Sequence, residues 1–132
     1  MMMRSFDFSK DLEVMNAWLS SRSMDPVRHI DLPRFGLIAE EDGEPMGCVF
    51  LRYCEGDLGM LCSFEMNPSI ALRMKNKVFD ELLMCGRELA QTKGIRRLIA
   101  FTEKKSILSL LKKNGWKESH FKIVGTTLME EI

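Results

Sequence analysis

The chain has no excess charge of either sign: nineteen Lys and Arg balance nineteen Asp and Glu across 132 residues. No global field therefore draws it to nucleic acid or to an anionic lipid surface. It has no apolar run of about 18 residues, and the start "MMMRSFDFSK" contains no apolar signal core, which predicts neither a membrane span nor a secretion signal and points to the cytoplasm. Cysteine is sparse. Cys48, Cys54, Cys62 and Cys85 form no CxxC pair, and neither histidine, His29 or His120, stands at ligand spacing from them. A bound metal and a disulfide framework are both unexpected, and the cysteines read as small apolar residues. Tyrosine occurs once, at Tyr53. No repeat or low-complexity segment is present.

With 45% hydrophobic residues, residues 1–132 suit one domain that buries roughly two-thirds of its unfolded surface. Residues 7–22 carry Leu12, Val14, Met15, Trp18 and Leu19 near helical spacing, with Ser9 as the expected N-cap. Pro26 and Pro33 then interrupt residues 23–34, predicting a loop or a short irregular helix. "FGLIAEE" and "MGCVFLRYC" read as antiparallel strands joined at the Asp-Gly of "DGEP", and "MLCSFEM" as a third strand of the meander. A long helix follows, with Asn67 as the expected cap, Pro68 at its first position and Lys93-Gly94 as its stop. Gly86 inside it predicts a close approach to the sheet. "IRRLIAFTE" reads as a strand, "KSILSLLKKNGW" as a helix stopped at Gly115, and the remainder as one or two short strands.

This order predicts a mixed α/β domain with a central mixed sheet. A strand, helix, strand crossover is right-handed almost without exception, so the strand at residues 60–66 and the one at 95–102 should run parallel. Ligands at such sheets bind beyond the carboxyl ends of the strands, here near residues 65–69 and 102–106. The segment "SFEMNPSIALRMKNKVFDELL" crosses that place without one glycine.

The succession "GLIAEEDGEPMGCVFLR", "FEMNP", "LAQTKGIRRLIAFT" and "SLLKKNGWKE" resembles the GNAT superfamily of N-acetyltransferases, and the likeness covers most of the chain. It implies helices on both faces of the sheet, with the fourth and fifth strands splayed to admit the pantetheine of acetyl-CoA. It also implies that the pyrophosphate rests on N–H groups at the start of the central helix. An amine of a small molecule or peptide would accept the acetyl group. By the same resemblance Phe64, Met66, Arg73, Met74, Lys75, Asn76, Lys77 and Lys104 are the candidate cofactor-binding residues. Aligning Leu82-Leu83 with the family's Leu-Leu pair places residues 74–79 where an Arg-Gly-x-Gly-Ile-Gly pattern is expected, and three glycines are missing. Two readings stay open: lysine side chains replace the backbone donors, or a helix starting at Pro68 fills the cradle.

For catalysis the resemblance points to Glu65 as the base, beside the plainer reading of a solvated strand-end carboxylate. The family's acidic tyrosine falls on Leu111, which leaves Tyr53 as the alternative acid, beside its plainer reading as packing. A second function remains on the table: a non-catalytic binding or assembly protein of the same fold, as among phage-encoded members. Nucleic-acid binding through "KGIRR" and "LLKKNGWK" is disfavoured because no aromatic interleaves the basic residues on a strand. An unpaired edge of the terminal strands is available for a homodimer.

Overall fold

The computed structural model describes residues 1–102 and 105–118, within two compact units, Met1–Thr102 and Glu103–Ile132. The first unit runs β1 (Met2–Ser5), α1 (Phe8–Ser21), a 3-10 turn (His29–Asp31), β2 (Phe35–Glu41), β3 (Glu44–Tyr53), β4 (Leu58–Met66), α2 (Leu72–Thr92) and β5 (Arg97–Ala100). Its sheet has the order β1-β2-β3-β4-β5, antiparallel throughout except for the parallel β4–β5 pair. The crossover through α2 thus joins parallel strands, as expected. The described part of the second unit is α3 (Lys105–Lys113), ended by Gly115 at φ 86°. The last strands expected from the sequence, His120 and Lys104 lie outside the described residues.

Hydrophobic patterning explains the layers. β3 is buried from Gly47 to Leu51 because both its faces are covered. Cys48 and Phe50 join Met15, Trp18 and Leu19 of α1, together with Phe6 and Ile38, in one core cluster. Val49 and Leu51, alternate on the strand, face the opposite side. There α2 buries Val78, Phe79, Leu82, Leu83 and Ala90, each fully buried Leu or Phe contributing about 1.5–3 kcal/mol. Gly86 brings α2 onto β4: a Cβ there would lie 3.1 Å from Leu61 Cδ2, which is the close approach its mid-helix position predicts. The β2–β3 turn is the expected Asp42-Gly43, with both residues left-handed at φ 51° and 79°.

Three local expectations are corrected. β1 was not anticipated. Pairing with β2 holds it, from Met2 opposite Glu40 to Ser5 opposite Leu37, and so does Arg4, which bonds Asp11 of α1 and Glu40 of β2. The cap of α1 is Asp7, whose carboxylate accepts from the Ser9 N–H at 3.0 Å and from its hydroxyl at 2.6 Å, so Ser9 is the second helical residue. The start of α2 is Leu72, with Ala71 as its N-cap. Asn67 is occupied elsewhere: Oδ1 accepts from the Ser69 N–H at 2.9 Å and Nδ2 donates to the Pro45 carbonyl at 3.1 Å. It caps a separate turn tied to β3, and the helix begins four residues after Pro68.

Candidate functional site

β4 changes direction halfway along. Phe50 lies opposite Cys62 and Cys48 opposite Glu65, so Ser63 and Phe64 together face Val49 in a bulge. Ser63 has φ 54°, a left-handed conformation for a residue with a Cβ. Pairing with β5 stops before this point: Leu58–Leu61 register with Arg97–Ala100. The β4–β5 ladder therefore ends before the bulge, five residues short of the end of β4.

The bulge also assigns faces. Phe64 packs at a tilt against Phe79 of α2 with ring centroids 4.9 Å apart, and the Met66 sulfur lies where a Cβ on Gly47 would touch it, beside Val78. Both side chains therefore lie on the α2 side of the sheet. Glu65 points to the α1 side, where the Arg22 guanidinium donates to its Oε2 at 3.2 Å and to the Met66 carbonyl at 2.6 Å. Arg22 was not singled out from the sequence. It is 43 residues from Glu65, and nothing local marks it.

After β4 and the Asn67 turn comes the N-terminus of α2. Ala71 has no side-chain cap and the first turn holds no acidic residue. The N–H groups of Leu72, Arg73 and Met74 have no intrahelical acceptor, and the helix dipole adds partial positive charge there. The Lys75 N–H already donates to the Ala71 carbonyl at 2.9 Å. Arg73 and Met74 thus lie on the open first turn, whereas Lys75, Asn76 and Lys77 lie past it and offer only their side chains. Phe79, aligned with the family's last glycine, is buried in the core together with Val78, so that position cannot form a cradle. The obstruction expected from a helix starting at Pro68 loses its premise, since that residue precedes the helix.

Tyr53 is not brought to this place. It pairs with Gly59 at the opposite end of β4, five residues along β3 from Cys48, or roughly 17 Å at about 3.4 Å per residue. Its ring packs edge-on against Phe35 at 5.4 Å. Leu111 is a buried apolar residue of the second unit. Among the described residues, no three metal-ligating side chains converge and no helix is long and apolar enough to cross a membrane.

No family model and no curated protein matches the sequence. Solved structures do. An aminoglycoside N-acetyltransferase in complex with CoA superposes with a TM-score of 0.69 at 18% identity, covering 97% of this chain and 100% of that one. An acetyltransferase of Trypanosoma brucei gives 0.70 at 16% identity, covering 96% and 99%. A transcriptional regulator from Bacillus halodurans C-125 gives 0.74 at 14% identity, covering 96% and 99%. At such identities the likeness speaks for architecture, and the last of these names a different role on the same architecture. With the parallel β4–β5 pair, the bulge in β4 and the helix that follows it, this chain has the GNAT fold.

Proposed function

We propose that residues 1–132 act as one domain, an acetyl-CoA-dependent N-acetyltransferase that acylates an amine of a small molecule or peptide. The observation that carries this reading is that the β4–β5 ladder ends at Leu61 and Ala100, and that the helix following β4 has an uncapped N-terminus with no acidic residue in its first turn. A long, thin ligand with hydrogen-bonding amides at one end and phosphates at the other fits both features. Two relatives by fold, the aminoglycoside N-acetyltransferase and a Mycobacterium tuberculosis protein, were each solved with CoA.

The residues present suit such a ligand without glycine. Peptide groups of β4 beyond the end of its ladder with β5 would pair with the amides. The N–H groups of Leu72, Arg73 and Met74 offer donors to a phosphate, and Arg73, Lys75 and Lys77 add positive charge around them. When bound, acetyl-CoA supplies a thioester carbonyl open to attack by an amine, with a thiolate as the leaving group. Glu65, at the carboxyl end of β4 on the face away from α2, is placed to take the proton that the amine loses. Tyr53 is too distant to protonate the thiolate, so departure relies on the stability of the thiolate itself.

Isothermal titration with acetyl-CoA tests the reading. Binding in the micromolar range is expected; no heat at millimolar ligand refutes it and leaves a binding or assembly protein built on the same fold. In the enzyme, Glu65→Gln should cut thiol release while acetyl-CoA affinity stays the same.

A further inference from the structure

Arg22 is the C-cap of α1, and the residues after it close a full Schellman turn. The Met24 N–H donates to the Leu19 carbonyl at 3.0 Å and the Ser23 N–H to the Ser20 carbonyl at 3.0 Å. The left-handed position of that turn, where glycine is usual, is taken by Ser23 at φ 57°. Three non-glycine residues among those described are left-handed: Ser23, Asp42 and Ser63. Asp42 belongs to the Asp-Gly hairpin turn, whose geometry asks for it. The other two sit at the two ends of one contact, Ser23 next to Arg22 and Ser63 two residues before Glu65. Each costs about 1–2 kcal/mol of backbone energy. A cost maintained on both sides of a single ion pair marks a place where geometry is held for a purpose other than stability.

We propose that Arg22 is the positioning residue of the acceptor side, an assignment that rests on the N-acetyltransferase reading above. Its guanidinium spans two acceptors of β4, the Glu65 carboxylate at 3.2 Å and the Met66 carbonyl at 2.6 Å. A planar fork that bonds both a side chain and the adjacent backbone prevents the carboxylate from swinging with the strand end. The side chains of Arg22 and Glu65 are 28% and 17% exposed, so the pair is reachable by a solute and only partly screened by water. In the reaction the amine nitrogen forms its bond to the acetyl carbon, its proton passes to Glu65, and the carbon–sulfur bond breaks with its electrons leaving on the thiolate. Arg22 touches neither the amine, the acetyl group nor the thiolate and acts through Glu65, to whose Oε2 it donates. It keeps the Glu65 carboxylate where the proton must go.

The test compares the wild type with Arg22→Gln, Arg22→Lys, Glu65→Gln and the double variant Arg22→Gln/Glu65→Gln. Thiol release from acetyl-CoA is followed with spermidine, with a lysine-containing peptide and with water alone as acceptor. Acetyl-CoA affinity is measured by titration and folding by urea midpoint. Arg22→Gln should lower kcat about 10- to 100-fold, as for an angstrom-scale misplacement of a reacting group. Acetyl-CoA affinity should hold within about twofold, and Arg22→Lys should recover part of the loss. The double variant should be no slower than Glu65→Gln alone, since one residue acts through the other. Unchanged kcat in Arg22→Gln, a parallel loss of acetyl-CoA affinity, or losses that multiply in the double variant would each overturn the assignment. So would a wild type that binds acetyl-CoA yet releases no thiol with any of the three acceptors. A wild type that does not bind acetyl-CoA instead refutes the donor reading itself.

Discussion

Asp11→Asn perturbs the most deeply buried charge among the described residues, at 2% exposure. The carboxylate accepts from Arg4 Nη1 at 2.7 Å and Nη2 at 2.9 Å, and from the Asp7 N–H at 2.8 Å. An amide of the same shape keeps one acceptor oxygen, so one Arg4 nitrogen would face another donor. Hydrogen bonds to charged groups contribute about 1.5–3 kcal/mol each, and breaking a buried ion pair costs about 3–5 kcal/mol. Arg4 retains Glu40 at 3.0 Å and its side chain is 22% exposed, which places the loss at the lower side, about 2–4 kcal/mol. That is a large share of the 5–15 kcal/mol typical of a domain. Urea unfolding at pH 7 reads it as a lower midpoint with an unchanged slope. Acidity gives a second readout. Burial opposes ionisation of Asp11, but the hydrogen bonds from Arg4 and the Asp7 N–H outweigh it and hold the carboxyl below its usual range. A depressed folded pKa contributes stability that is complete above the unfolded value near 3.9 and fades as pH falls through the folded value. Wild type and Asp11→Asn should therefore converge in stability below about pH 4. A difference under about 1 kcal/mol at pH 7, or one that persists unchanged at pH 2, would refute the claim that this pair fastens β1 and α1 to the sheet.

Gly47→Ala should destabilise by about 1–3 kcal/mol in the same assay. Its Cβ would lie 2.8 Å from both Met66 Sδ and Val78 Cγ1 and 3.1 Å from the Glu65 carbonyl. Arg73→Glu places a negative charge on the open first turn of α2 and should weaken acetyl-CoA about tenfold at low salt and less at high salt, measured by titration at two ionic strengths. Cys48, fully buried, has its thiol pushed well above the ordinary range by desolvation. It should resist a thiol-specific reagent at pH 8 until urea unfolds the chain.

Legibility in the sequence followed the range of the interactions. The β2–β3 hairpin was readable because Asp42-Gly43 carries its own turn preference between two β-forming runs. The stop of α2 at Lys93-Gly94 was readable for the same reason, with Gly94 left-handed at φ 78°. Glu65 was placed correctly at the strand end, but the bulge that turns it toward α1 left no mark, because Ser63 has no intrinsic preference for φ 54°. The start of α2 was misread because an Asn-Pro pair normally announces a helix. Here the Asn67 side chain bonds Pro45 and Ser69 instead, the first of them 22 residues away. β1 escaped notice because four residues of modest β preference form a strand only when a neighbour supplies the ladder.

Composition and local pattern alone determined the mixed α/β order, the hairpin, the parallel crossover and the absence of glycine from the turn after β4, because each depends on a residue's own backbone preference or on short-range periodicity. Tertiary structure alone decided that α2 starts at Leu72 and not at Pro68, that Arg22 grips Glu65 and Met66, and that Tyr53 stands at the far end of the sheet. Those facts depend on which distant side chains compete for the same hydrogen bonds, and that competition is settled only when β3, β4, α1 and α2 are packed together.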